Sequence, residues 1–285
     1  MRGFALLCLA ASADAFGAAR GAARGGARGL ALSRSAAHRA PPSRIVASSA
    51  DTHATIVFLR HGQSMWNEAN LFTGWADVPL TTLGKNEAAA GATQIWREGI
   101  VFDVCYTSLL KRAQQTLDIV LTITGQEHVI THNSWRLNER MYGALTGLDK
   151  KQTVAKYGED QVKLWRRSFS TPPPPIDTDN EHWPGNDNRY AHIPMEDIPR
   201  SECLKDTIDR TLPYWQSDIM PALKRGKTIC IAAHGAARNV AWLRGHTLAS
   251  KTCGLTLFLP RAGRGAHVTS PRARRQLDPR HAQIS

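Results

Sequence analysis

The run Ile56-Val57-Phe58-Leu59-Arg60-His61-Gly62-Gln63-Ser64-Met65-Trp66-Asn67 decides how the chain is read. Its first four residues are apolar and β-branched in part, as in a strand buried on both faces. The run stops at Arg60-His61-Gly62 and passes into polar residues that can open a helix. Open α/β sheets bind ligands beyond the carboxyl ends of their strands, and His61 falls there. A neutral imidazole is a nucleophile at pH 7 when its other ring nitrogen is held as a donor. Arg60 offers a planar donor fork suited to phosphate, and Gly62 lets a ligand come close to the backbone. The tripeptide by itself is equally compatible with an ordinary turn after a strand.

A second apolar run, Thr228-Ile229-Cys230-Ile231-Ala232-Ala233, ends in His234-Gly235. Two buried strands that each deliver His-Gly at the same end imply two histidines facing one pocket. This pairing resembles the histidine phosphatase superfamily. The blocks from Arg60 to Asn67 and Phe72-Thr73-Gly74-Trp75-Ala76-Asp77-Val78-Pro79-Leu80-Thr81 resemble, more narrowly, cofactor-dependent phosphoglycerate mutases. The likeness runs from about Thr55 to Gly235.

Other segments carry candidate residues of their own. Phe72 to Leu80 mixes Gly, Pro and Asp with aromatics and reads as a loop, where Thr73 and Gly74 can offer a hydroxyl and an open N–H to an anion. A helix is expected from about Thr82 to Arg97, closed by Gly99. Phe102 to Ser108 reads as a strand leading into a helix that ends near Gly125. Arg112 lies in that helix's first turn, where free N–H groups and the dipole favour anions. Glu139 sits between Asn138 and Arg140 in the run Leu137 to Lys150. Desolvation would raise its proton affinity and adjacent cations would lower it. A salt bridge between Glu139 and Arg140 is the purely structural alternative. Arg166 and Arg167 close a helical stretch starting at about Lys150, and adjacent arginines repel unless an anion lies between them.

The segment from Thr171-Pro172-Pro173-Pro174-Pro175 to Pro199 has no periodicity and is long for a connector. It reads as a lid, with a lid insertion over about 168–200. Ser201 can cap the next helix, which Pro213 and Pro221 should kink or interrupt. Five strand-like runs alternate with helices, giving a three-layer α/β/α sandwich with a mostly parallel sheet. The chain shows no internal repeat, zinc-binding pattern or Gly-rich nucleotide loop.

The resemblance implies an isomerase that interconverts 3-phosphoglycerate and 2-phosphoglycerate, in glycolysis and gluconeogenesis. His61 would carry the phosphoryl group, Glu139 would donate and accept the proton, and His234, Arg60 and Arg112 would complete the catalytic set. Substrate would be bound by Arg60, His61, Gly62, Gln63, Ser64, Asn67, Thr73, Gly74, Arg112, Glu139, Arg140, Met141, Tyr142, Lys150, Arg166, Arg167 and Gly235. The resemblance also implies 2,3-bisphosphoglycerate as primer, no metal, small phosphoglycerates as partners, and a homodimer or homotetramer as the assembly to test. A bisphosphoglycerate mutase or phosphatase, or another histidine phosphatase, is the nearest alternative.

Composition bears on the partners. The chain has 285 residues and a formal charge of +12. The leader's seven Arg and one Asp and the tail's six Arg and one Asp leave about +1 for residues 51–260. A nearly neutral body with no aromatic-interleaved basic stripe argues against nucleic acid. No stretch approaches the ~20 apolar residues of a membrane span. The cysteines of the body show no paired or metal-type spacing and read as small apolar residues in a reducing compartment.

Residues 1–50 and 261–285 differ from the body. Gly3 to Ala11 forms a short hydrophobic core after Arg2, and Ala13-Asp14-Ala15 is a small-x-small cleavage signal. Phe16 to Ala50 contains no acid and is rich in Ala, Arg, Gly and Ser, as transit peptides are. Together they resemble the bipartite leader of algae with secondary plastids, so a plastid is expected; mitochondrial import and secretion are the alternatives. After Gly235 the mutase pattern expects Asn-Ser-Leu-Arg, but this chain has Ala236-Ala237-Arg238. A strand remains possible over Gly254 to Leu259, while the basic tail after it reads as disordered. This departure leaves open an altered final reading frame, an impaired enzyme lacking an edge strand, or an inactive binding relative.

Overall fold

The computed structural model describes residues 54–235 and the backbone of 253–258. The leader, the tail and Ala236 lie outside the described residues. The elements are β1 (Ala54–Arg60), α1 (Met65–Glu68), α2 (Thr82–Arg97), β2 (Val104–Thr107), α3 (Lys111–Thr124), β3 (Thr131–Asn133), α4 (Lys150–Tyr157), α5 (Glu159–Arg167), α6 (Leu204–Tyr214), α7 (Met220–Lys224), β4 (Thr228–Ala233) and β5 (Cys253–Phe258).

Five parallel strands form one sheet in the order β3-β2-β4-β1-β5. The apolar runs are continuous because both faces are covered. Ile56 and Phe58 of β1 join Ile229 and Ile231 of β4 against Trp215, Ile219 and Leu223 on one face. Val57 and Leu59 turn to the other face, with Cys105, Cys230 and Ala232, against Ile95 of α2 and Leu117 and Val120 of α3. Burying each such aliphatic side chain contributes ~1.5–3 kcal/mol. Cys105 and Cys230 are register partners on β2 and β4, both buried and free. The three-layer α/β sandwich is therefore as the strand pattern indicates.

Local signals set several boundaries. Thr81 Oγ1 accepts from Gly84 N–H at 3.0 Å and caps α2, and Gly99 follows that helix at φ +65°. Gly125 ends α3 in the left-handed region at φ +68°. The stretch from Lys150 to Arg167 is two helices and not one, because Gly158 at φ +83° breaks it. Asp149 caps the first of them, accepting from Lys151 and Gln152 N–H. Ser201 does not cap α6; its hydroxyl donates to Pro173 O, and Cys203 takes the cap position with its N–H on Asp206 Oδ2. Pro213 is tolerated inside α6, and a π-helical turn over Trp215–Ile219 precedes α7.

The aperiodic segment is ordered around a small core of its own. Ile176, Trp183, Tyr190, Ile193 and Ile198 are buried with Trp75 and Met141. Arg189 ties it to the body, donating to Asp77 Oδ2 at 2.7 Å and to Leu109 O at 3.2 Å. The sheet has its edge strand: β5 pairs with β1 from Ala54↔Cys253 to Leu59↔Phe258. That corrects the expectation that the altered C-terminus leaves this edge bare. Among the described residues no helix is long and apolar enough to cross a membrane.

Candidate active site

Strand register builds the site. β1 and β4 are neighbours with Arg60↔Ala233 as the last pair, so His61 and His234 leave the sheet side by side. His61 N–H donates to Ala233 O at 3.1 Å, which extends the ladder by one bond. The two imidazole centroids are 5.0 Å apart, and both residues are buried.

His61 Nδ1 lies 2.7 Å from Gly62 O. A carbonyl can only accept, so Nδ1 carries the proton and the Nε2 lone pair is free. Burial lowers the pKa of His61 well below the usual histidine value, and the charges of Arg112 and Arg60 lower it further. His234 is lowered in the same way, by burial first, then by Arg112, His61, Arg60 and Arg210. Both rings are therefore neutral at pH 7. His234 Nε2 is 2.8 Å from Ser108 Oγ, which leaves Nδ1 without a hydrogen-bond partner among the described residues. Glu139 Oε2 stands 4.0 Å from that Nδ1.

Such a pair of neutral histidines beside a carboxylate and two guanidinium groups suits transfer of a phosphoryl group through a phosphohistidine. Residues 56–184 match the histidine phosphatase superfamily, branch 1. This chain is similar to that family over those residues. Solved structures are similar to it in part. One is a mycobacterial hydrolase at 21% identity, covering 66% of this chain and 77% of that one with a TM-score of 0.49. A mycobacterial glucosyl-3-phosphoglycerate phosphatase has 22% identity, 66% and 80% coverage and a TM-score of 0.49. An alpha-ribazole phosphatase from Shigella flexneri has 21%, 66% and 79%, and 0.47.

The other candidate residues divide into those near the histidine pair and those used elsewhere. Arg112 is buried, with Nη1 on Ala76 O at 2.9 Å and Nη2 on Gly74 O at 2.8 Å, while Nε has no partner among the described residues. Burial lowers its pKa to about 10, opposed by Glu139 and Asp77, so it stays charged. It thereby fixes the Thr73–Ala76 turn. Glu139 Oε1 accepts the backbone N–H of Arg140 at 3.0 Å, and the Glu139–Arg140 ion pair does not form. Arg140 instead donates Nη2 to Arg166 O at 2.7 Å and lies over the Tyr142 ring. Lys150 and Arg166 both approach the Phe72 ring, at 5.6 and 5.9 Å. Burial lowers the pKa of Lys150, and Arg166 lowers it further. Among the described residues none of Arg60, Arg140, Lys150, Arg166 and Arg167 pairs with a carboxylate.

Several of the expected binding residues also have structural partners. A Cβ at Gly62 would lie 2.1 Å from Gly84 O, so glycine is needed here to admit helix α2. Ser64 and Asn67 bond each other as the capping box of α1, and Gln63 is held by Glu87 and Thr81. Met141 is fully buried in the core of the aperiodic segment, so its side chain cannot meet a substrate. The start of α3 offers no row of free N–H groups: Leu109 N donates to Asn138 Oδ1, Leu110 N to Ser108 Oγ and Lys111 N to Asp77 Oδ1. Gly235 follows His234 and is exposed.

Sequence reasoning missed the supports. Ser108 holds His234 from 126 residues away. Thr116 Oγ1 accepts Gly62 N–H at 3.2 Å. Trp75 Nε1 donates to Glu139 O at 2.6 Å, and Arg210 Nη2 donates to the same oxygen at 3.3 Å. Arg210 is paired in turn with buried Glu202 at 2.6 Å. The contacts to His234, Gly62 and Glu139 join residues far apart in the chain, so local pattern carries no signal for them.

Proposed function

We propose that this enzyme is a phosphoglycerate mutase that works by a ping-pong route through phospho-His61. The reading is carried by the free Nε2 of buried His61, on which the charges of Arg112 and Arg60 act, together with a group of cations near Phe72 that has no carboxylate partner among the described residues. Those cations suit a small ligand bearing both a carboxylate and phosphates. Phospho-His61 passes its phosphoryl group to the free hydroxyl of a monophosphoglycerate, whose proton goes to Glu139, and 2,3-bisphosphoglycerate forms in the site. His61 Nε2 then attacks the other phosphorus, the bond from that phosphorus to the glycerate oxygen breaks, and the departing oxygen takes the proton back from Glu139. His234 and Arg60 stabilise charge on the transferring group, with Arg112 acting at longer range. 2,3-Bisphosphoglycerate, the expected primer, supplies the phosphoryl group that first charges His61, and the residue set near Phe72 fits its charge. Its work would lie in a plastid, as the leader's composition suggests.

A phosphatase reading of the same domain is favoured by one feature, Ala236 where the mutase pattern has Asn. Losing a donor to the transition state costs ~2.7–4 kcal/mol. The test incubates the full chain with 2,3-bisphosphoglycerate, maps phosphate by mass spectrometry and times isomerisation against phosphate release. Phosphate on His61 with isomerisation the faster supports the mutase. Phosphate release outrunning isomerisation selects the phosphatase, and label on another residue or on none rejects both.

A further inference from the structure

The histidine pair and Glu139 have a second chemical capacity. One ligand atom from each of His61, Glu139 and His234 lies within 4.8 Å of the others. For His61 the free atom is Nε2, since Nδ1 is bonded to Gly62 O. For His234 it is Nδ1, which is buried and has no partner among the described residues. Glu139 Oε2 is 4.0 Å from it. Two imidazole nitrogens and a carboxylate oxygen are the donor set of an open three-ligand zinc site.

We propose that His61, His234 and Glu139 bind a Zn²⁺ ion reversibly and that the ion excludes phosphoryl transfer. Zn–N and Zn–O bonds of ~2.0–2.2 Å place tetrahedral ligand atoms about 3.4 Å apart. The ligand atoms, within 4.8 Å of one another, have to draw together by roughly an ångström to reach that spacing, and Glu139, which keeps 17% of its side chain exposed, has room to move. The outer contacts already suit a metal. Metal-binding histidines usually donate the other ring N–H to a carbonyl or similar acceptor, which fixes the tautomer. Here Gly62 O serves His61 and Ser108 Oγ serves His234. Trp75 Nε1 and Arg210 Nη2 hold the Glu139 backbone.

The guanidinium groups of Arg112, Arg60 and Arg210 act on this cluster and oppose a cation. They make the ion a competitor and not a resident cofactor. Zn²⁺ on His61 Nε2 occupies the lone pair that would attack phosphorus, so the two states exclude each other. No electron transfer is involved. Mg²⁺, which prefers an octahedral oxygen shell, is a poor match.

The binding claim stands on geometry alone, and the inhibition claim rests on the function proposed above. The full chain is titrated with Zn²⁺ by calorimetry and with Co²⁺ by visible absorption, beside H61N, E139Q and H234N. One ion per chain is expected, with tetrahedral Co²⁺ bands, no thiolate charge-transfer band, and at least about a tenfold loss of affinity in each variant. Inorganic phosphate should weaken the apparent Zn²⁺ affinity, and millimolar Mg²⁺ should not. E139Q changes one atom of a partly exposed side chain and keeps the claim testable if a histidine variant fails to fold. Unchanged affinity in E139Q, a thiolate band, or no binding overturns the proposal. Zn²⁺ binding without mutase activity would reject the function but leave the site; mutase turnover indifferent to saturating Zn²⁺ would reject the inhibition and leave the function.

Discussion

A Cβ on Gly62 would sit 2.1 Å from Gly84 O, and one on Gly84 would sit 2.0 Å from Gln63 O. The loop after His61 and the first turn of α2 touch backbone to backbone, and only glycine at both places allows it. Gly84→Ala should destabilise by ~1–3 kcal/mol through overpacking. Gly91→Ala in the same helix meets nothing within 4 Å and should stabilise by ~1 kcal/mol through helix propensity. Urea denaturation of both variants checks the pair, and equal effects would show that the contact is soft.

Ser108→Ala removes the hydroxyl 2.8 Å from His234 Nε2. A buried ring nitrogen left unpaired costs ~1–3 kcal/mol, and the ring can then rotate or change tautomer. Turnover should fall about tenfold or more, with a displaced pH profile, and Ser108→Thr should restore part of both. A rate and profile equal to wild type would remove Ser108 from the positioning set.

The Glu202–Arg210 pair is almost wholly buried, with side-chain exposures of 2% and 6%. Glu202→Ala leaves an uncompensated guanidinium in the interior and should cost ~3–5 kcal/mol. Arg210 also bonds the carbonyls of Asn138 and Glu139, so activity should fall with stability. The double variant Glu202→Leu/Arg210→Met should recover much of the stability and little of the activity. Recovery of both would mean that Arg210 does not place Glu139.

Stability should depend on pH through the histidine pair. Burial lowers both pKa values below the usual 6.5, so below that pH the unfolded chain binds protons that the folded chain refuses. The stabilisation is complete above pH 6.5 and is lost as pH falls toward the folded-state values, at up to ~1.4 kcal/mol per pH unit per group. Unfolding free energies from pH 8 to pH 5 should fall less steeply in His61→Asn/His234→Asn than in wild type. Parallel slopes would refute the assignment.

The leader proposal is tested by fusing residues 1–50 to a fluorescent protein in an alga with secondary plastids. Plastid fluorescence is expected, and Phe16→Ala should divert it. Cytosolic fluorescence from the unaltered leader would reject plastid import.

The sequence by itself determined the strands ending in His61 and His234, the bounds of α2 and the α/β layering. Those follow from local causes: apolar runs, a Thr81 cap, and glycines after helices at Gly99 and Gly125. It also marked Arg60, Arg112 and Glu139, the last through the resemblance and not through any local pattern. Only the tertiary structure decided what each polar atom touches. Local pattern does not encode that Ser108 meets His234, that Arg112 holds the carbonyls of Gly74 and Ala76, or that Gly62 serves Gly84. Each of these joins segments brought together by strand order and register. The break at Gly158 is a local glycine signal, whereas the burial of Met141 depends on which surface the surrounding chain covers, since apolar character alone looks the same in sequence.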